Sequence, residues 1–208
     1  MDIKIKDDDD DVKFKDEYIV ISIDSTGIKV INRGQWLREK WHVKNNKKGY
    51  LKIHVEVNVK IKKILAMKVT DEHVHDSKAL PELVNEAIKL DKIITIGKLF
   101  AEDGAYDDNE IFRFLADNNG ILPCIKVRRN ARVGWKKDNI LRNLAVLAQK
   151  NDLQKWKYNV SYGKRWIVET VFSCLKRRFG EYIYSVKMKN MIQEMMLKAS
   201  LYNKLLSV

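Results

Sequence analysis

Residues 18–23 read Tyr-Ile-Val-Ile-Ser-Ile, an almost unbroken β-branched run that ends at Asp24. Continuous apolarity over so short a stretch is the mark of a strand buried on both faces, because a half-buried strand would alternate. The chain must therefore build a sheet covered on both sides, with Asp24 at the carboxyl end of an inner strand.

The segments that follow fit such a sheet. After a basic loop over residues 33–48, residues 49–59 alternate like a half-buried strand and residues 61–69 read as its partner, giving three consecutive antiparallel strands. Asp76 stands as the N-cap of a helix with the stripe Leu80, Leu83, Val84, Ala87 and Ile88. A strand within residues 93–101 leads into Glu102-Asp103-Gly104, and Asp107-x-x-Glu110 reads as a capping box for a helix closed by Gly120. Residues 121–127 make another buried strand, and helices are expected over 139–150, 164–179, with Gly180 as terminator, and 188–206. The order is a mixed α/β one, in which Asp24 and Asp103 hold the ends of neighbouring strands.

The charge narrows the partners. The chain carries +12 overall, but residues 1–11 hold six acids and two lysines, so the remainder has 38 bases against 22 acids, a net +16. A basic body of that kind favours a polyanion, since neutralising phosphates releases counterions, and nucleic acid is the leading candidate. Residues 1–16 read as an acidic, disordered tail and residues 17–208 as one folded domain. Cys124 and Cys174 sit in apolar runs as buried thiols, without a disulfide or zinc framework. Without a signal peptide or a stretch near ~18 apolar residues, a soluble cytoplasmic protein with no membrane partner is expected.

The chemistry is concentrated near the C-terminus. On one helix at ~100° per residue, Tyr162, Arg165, Glu169 and Lys176 fall within about 60°, beside a packing stripe of Val168, Phe172, Leu175 and Phe179. A carboxylate flanked by cations suits a metal ion and the phosphates of a nucleic acid, with Arg165, Lys176 and the Tyr162 hydroxyl as phosphate contacts. Three acids on separate elements suffice to hold magnesium, a hard cation that keeps part of its water shell and can stabilise both oxygens of a phosphodiester displacement. The loop with Arg128, Arg129, Arg132, Lys136 and Lys137 around Trp135 combines cations with an aromatic for base stacking and is read as a DNA contact. The segment with Trp36 and Trp41 is read likewise. His73 and His75 receive no metal role, for want of a further soft ligand, and His54 and His42 read as structural or phosphate-facing.

The pattern Tyr162-x2-Arg165-x3-Glu169-x6-Lys176 resembles the Y-R-E-K signature of insertion-sequence DDE transposases of bacteria and archaea, and the surroundings of Asp24 and Asp103 are similar to the first and second acid motifs of that family. The resemblance runs from about residue 18 to the end. It implies a ribonuclease H-like fold, Asp24, Asp103 and Glu169 as catalytic metal ligands, Mg2+ or Mn2+ as cofactor, and DNA cleavage and strand transfer by a homo-oligomer on DNA in a prokaryotic cytoplasm. The helical DNA-binding region that usually precedes the first acid motif in this family is expected to be missing. Two alternatives stay open: a non-catalytic DNA-binding remnant, and a cellular nuclease on the same sheet.

Overall fold

The computed structural model of the chain describes residues 18–31, 50–90, 96–101, 104–134 and 140–207. The expected tail, the segment with Trp36 and Trp41, His42, Asp103, Trp135, Lys136 and Lys137 all lie outside the described residues.

The buried run becomes β1 (Ile19–Val30), the inner strand of a six-stranded mixed sheet. β2 (Tyr50–Asn58) and β3 (Ile64–Asp71) extend it antiparallel on one side. β4 (Ile96–Ala101) and β5 (Leu122–Ile125) extend it in parallel on the other, in the order β3-β2-β1-β4-β5. Three antiparallel strands followed by parallel ones, flanked by helices, is the ribonuclease H-like α/β arrangement expected from the sequence.

β1 does not stop at Asp24. It continues through Ser25, Thr26 and Gly27 to Val30 because β2 is long enough to pair with it throughout, Asp24 opposite Val55 and Lys29 opposite Tyr50. The parallel pairing with β4 reaches only Ser22 opposite Phe100. Asp24 thus lies just past the parallel half of the sheet, in the middle of its antiparallel half.

Alternation along β1 sends Ile21 and Ile23 to one face and Ser22, Asp24 and Thr26 to the other. The first face is covered by α1 (Asp76–Leu90), whose Leu80, Leu83 and Val84 join Ile21, Ile23 and Leu99 in one core. The second face packs Val55 and Val57 against Val168, Val171 and Leu175 of α5 (Trp166–Phe179), and against Met191, Met195 and Ala199 of α6 (Met188–Leu206). α6 also docks on the edge strand. The Asn203 amide accepts from Ile64 N and donates to Ile64 O, both at 2.8 Å, and so completes the backbone pairing of β3.

Several local expectations shift. Asp108, not Asp107, caps α2 (Asn109–Arg113) by accepting from Glu110 N at 2.9 Å, and a π-helical turn (Phe114–Asn118) carries the chain to Gly120 at φ +64. Asp76 is itself the first residue of α1, and its carboxylate lies 2.7 Å from Lys52 Nζ and 3.1 Å from His54 Nδ1 in the sheet. Between α3 (Ile140–Asn151) and the signature helix lies an unanticipated α4 (Leu153–Val160), started by Asp152, which accepts from Lys155 N at 2.9 Å. The short β6 (Tyr182–Ile183), also unanticipated, pairs in parallel with Lys29 and Val30. Among the described residues no helix is long and apolar enough to cross a membrane.

Candidate active site

The signature segment is not one helix. Tyr162–Arg165 forms a 3-10 turn after Ser161, which sits in the left-handed region at φ 59, and the α-helix begins at Trp166. Tighter winding changes where the first two signature residues point, since a 3-10 turn advances 120° per residue instead of 100°. Tyr162 is consequently only 3% exposed. Its ring packs against Trp156 (5.0 Å between centroids) and edge-on to Phe100 (6.2 Å), and its hydroxyl donates to Ala101 O at 3.0 Å. That hydroxyl faces the last residue of β4, not the surface where the sequence reading put a phosphate contact.

Two ties register α5 on β1. The Ser22 hydroxyl donates to Arg165 O at 3.0 Å, and Lys176 Nζ donates to Thr26 Oγ1 at 2.8 Å. Asp24 lies between Ser22 and Thr26 on that face of β1, and Glu169, in the first turn of α5, lies between Arg165 of the 3-10 turn and Lys176 further along the helix. Each of the two acids therefore falls, along its own segment, between the two anchors that tie the segments together. Asp24 Oδ1 accepts from Ser25 N at 2.8 Å, while Glu169 Oε1 accepts from Arg165 Nη1 at 2.6 Å with the Glu169 side chain about half exposed. The Arg165 guanidinium in turn lies over the rings of Tyr162 (5.9 Å) and Trp166 (6.0 Å), contacts that restrict its rotamers.

Asp103 lies outside the described residues, but the chain on either side of it is anchored. Ala101 is held by Tyr162 and by pairing with Ile125. On the far side, Arg128 Nε donates to Gly104 O at 2.7 Å, and Arg128 N donates to Asp107 Oδ2 at 2.9 Å. Arg142 grips the Asp107 carboxylate with two nitrogens at 2.8 and 3.2 Å. The expected DNA contact Arg128 thus spends one nitrogen on the backbone, and Arg129 and Arg132 are exposed. The sequence reading took Asp107 as a helix cap and missed its partner Arg142. Two acids in a row gave no sign of which one caps, and a lone arginine on an amphipathic helix gives no sign of its partner.

Among the described residues no group of three or more metal-type side chains is assembled. Asp24 and Glu169 supply hard carboxylate oxygens of the kind magnesium or manganese prefers, from two elements that are fixed to each other. The donor chemistry therefore fits such an ion. Cys124 does not enter: burial, eased slightly by Lys98, pushes its thiol up to about 11.

The fold is a mixed sheet flanked by helices, with Asp24 on its inner strand and Glu169 on a helix tied to that strand. Residues 15–204 match the family described as the transposase DDE domain, and the chain belongs to that family. Among solved structures the chain is similar to the piggyBac transposase of a synaptic complex with hairpin DNA, seen by cryo-EM, with a TM-score of 0.46 and 9% identity. That alignment covers 90% of this chain and 46% of the other, so the chain spans about half the length of that transposase.

Proposed function

We propose that this protein is the catalytic part of an insertion-sequence transposase, which cuts DNA and joins the freed 3′ end to a target with Mg2+ or Mn2+ held by Asp24, Asp103 and Glu169. The observation that supports the reading is the double tie of Ser22 to Arg165 and Thr26 to Lys176, between whose anchors Asp24 and Glu169 fall along the chain. A metal ion held by these carboxylates would supply charge stabilisation for the attacking and leaving oxygens of the phosphodiester. Arg165, Lys176, Arg128, Arg129 and Arg132 hold phosphates, and Trp135 stacks on an unpaired base. Tyr162 serves from inside, by tying the end of β4 to the start of the signature segment. The protein acts as a homo-oligomer across two transposon ends.

The test incubates the purified protein with labelled duplex and pre-nicked DNA, with Mg2+, Mn2+ or chelator, beside Asp24→Asn, Asp103→Asn and Glu169→Gln. Metal-dependent nicking and joined products that vanish in all three variants are expected. Binding without any product in the native protein would overturn catalysis and leave a DNA-binding remnant. Cleavage of branched DNA with no joining would instead mark a cellular nuclease.

A further inference from the structure

The face of β1 that carries Asp24 also carries Val20, four residues nearer the N-terminus and so ~13 Å away at the rise of a strand. Beside Val20 lies a cavity of about 550 Å³, within the size range of small-ligand sites. Its floor is apolar, formed by Val20 and the buried Phe100. Its charged lining is cationic. Lys98 stands next to Val20 in the β1–β4 register, and Lys164 belongs to the 3-10 turn that leads into the helix of Glu169. Among the described residues no acid lines the cavity and neither lysine has an acid partner, whereas Lys29, Lys52, Lys68 and Lys198 each have one. Two uncompensated cations above an apolar floor suit a ligand with an anionic group and a flat apolar part.

A bulge shapes the mouth of the cavity. Ile19 pairs with Ile96 and Val20 with Lys98, so Gly97 is an extra residue on β4. A Cβ at Gly97 would come within 2.8 Å of Tyr18 Cβ, and the glycine is what lets Tyr18 lie against β4. Tyr18 lines the cavity and is still 72% exposed, an aromatic ring kept in water beside two cations. That combination holds unpaired nucleotides, because the ring stacks on a base while the ammonium groups take up phosphate charge. A base inside a duplex has no free face to offer. We propose that this cavity holds an unpaired nucleotide of the DNA strand that is cut, with its base on Tyr18 and its phosphate between Lys98 and Lys164. At ~3.4 Å per stacked nucleotide, the ~13 Å from Val20 to Asp24 corresponds to about four nucleotides.

The inference rests on the cleavage role proposed for Asp24 and Glu169, but its test needs no cleavage. Fluorescence anisotropy in chelator compares a blunt duplex with duplexes whose unpaired overhangs are shorter than, equal to and longer than about four nucleotides. The proteins are the native chain, Tyr18→Ala, Tyr18→Phe and the double variant Lys98→Gln/Lys164→Gln. Overhangs of about four nucleotides or more should bind about tenfold tighter than the blunt duplex, the usual worth of one stacked base. Tyr18→Ala should lose that gain and keep the blunt-duplex affinity, and Tyr18→Phe, which keeps the ring, should keep the gain. The lysine variant should lower the salt slope of overhang binding by roughly 0.7, the share of one phosphate on a single strand. An equal overhang gain in the native protein and Tyr18→Ala, or no gain in the native protein, would overturn the cavity's role and leave the cleavage reading standing. A free deoxynucleoside monophosphate that displaces the overhang as well as a short single strand does would assign the cavity to soluble nucleotides and overturn the strand. Failure of the native protein to bind any of these DNAs would overturn this inference and the transposase reading together.

Discussion

The Arg165 guanidinium lies 2.6 Å from the Glu169 carboxylate, and the two residues stand on opposite sides of the junction between a 3-10 turn and an α-helix. The glutamate is the outer, half-exposed partner, and the arginine is held beneath it by two aromatic rings. On the proposed function, an incoming cation would compete with the arginine for the carboxylate, and an incoming phosphate would compete with the carboxylate for the arginine. Metal and DNA together can relieve the pair where either one alone would leave a charge uncompensated.

Lys176 contributes charge with little packing. Lys176→Gln should weaken DNA binding about equally for all duplex sequences and lower the slope of log K against log salt by roughly 0.9, the share of one phosphate contact. Only the Thr26 hydrogen bond is lost from the fold, so stability should change by about 1 kcal/mol or less. Fluorescence anisotropy across a salt series, with urea denaturation alongside, gives both quantities. An unchanged slope would remove Lys176 from the DNA path.

Glu56 lies wholly buried beneath α1, and burial first, then the nearby Glu86 charge, pushes its carboxyl from 4.5 up to about 8. A raised folded-state pKa means folding takes up a proton. The contribution is complete below about pH 4.5, shrinks as pH rises toward 8 and is then exhausted, at up to ~1.4 kcal/mol per unit. Urea denaturation of the native protein should show stability falling over that window relative to Glu56→Gln, which cannot ionise. Parallel pH profiles for the two proteins would show that Glu56 is already ionised in the fold.

Asn203 meets both backbone groups of Ile64 inside the protein. Asn203→Ala strands a buried N–H and a buried C=O at the edge strand, a loss of about 2–4 kcal/mol in urea denaturation. A loss below about 0.5 kcal/mol would mean that water replaces the amide.

The Asp107 carboxylate is buried, with Arg142 as its charged partner. Arg142→Met removes that partner and should cost about 3 kcal/mol. Hydrogen exchange should accelerate first at residues 104–108, which the clamp holds. Protection lost uniformly over the molecule would assign Arg142 to global stability instead of this segment.

Much of the sheet was legible because its strands obey simple rules. The apolar run before Asp24, the alternation in β2 and the helical stripe from Leu80 place the layers, and α6 lies where its Met and Leu pattern put it, Met188–Leu206. What stayed hidden depends on partners far along the chain. Nothing near Gly27 announces that β1 continues, since that follows from the length of β2. β6 is two residues long, too short for any period. The i,i+4 pair of Arg165 and Glu169 was legible from spacing, but the inward turn of Tyr162 was not, because a regular helical wheel assumes one winding throughout. Ser22 and Thr26 were passed over for a related reason: their contacts lie across layers, where sequence separation carries no signal.

The 3-10 turn from Tyr162 to Arg165 also works as a length gauge. Four residues wound this way rise about 8 Å where α-helix would rise about 6 Å, and they turn through roughly 80° more. Rewinding them would draw the Tyr162 ring away from Phe100 and Trp156 and part its hydroxyl from Ala101. The number of residues between Tyr162 and Glu169 is thus a mechanical dimension of the protein. One residue added or removed there would put the glutamate on the wrong side of its helix while every side chain in the signature remained present.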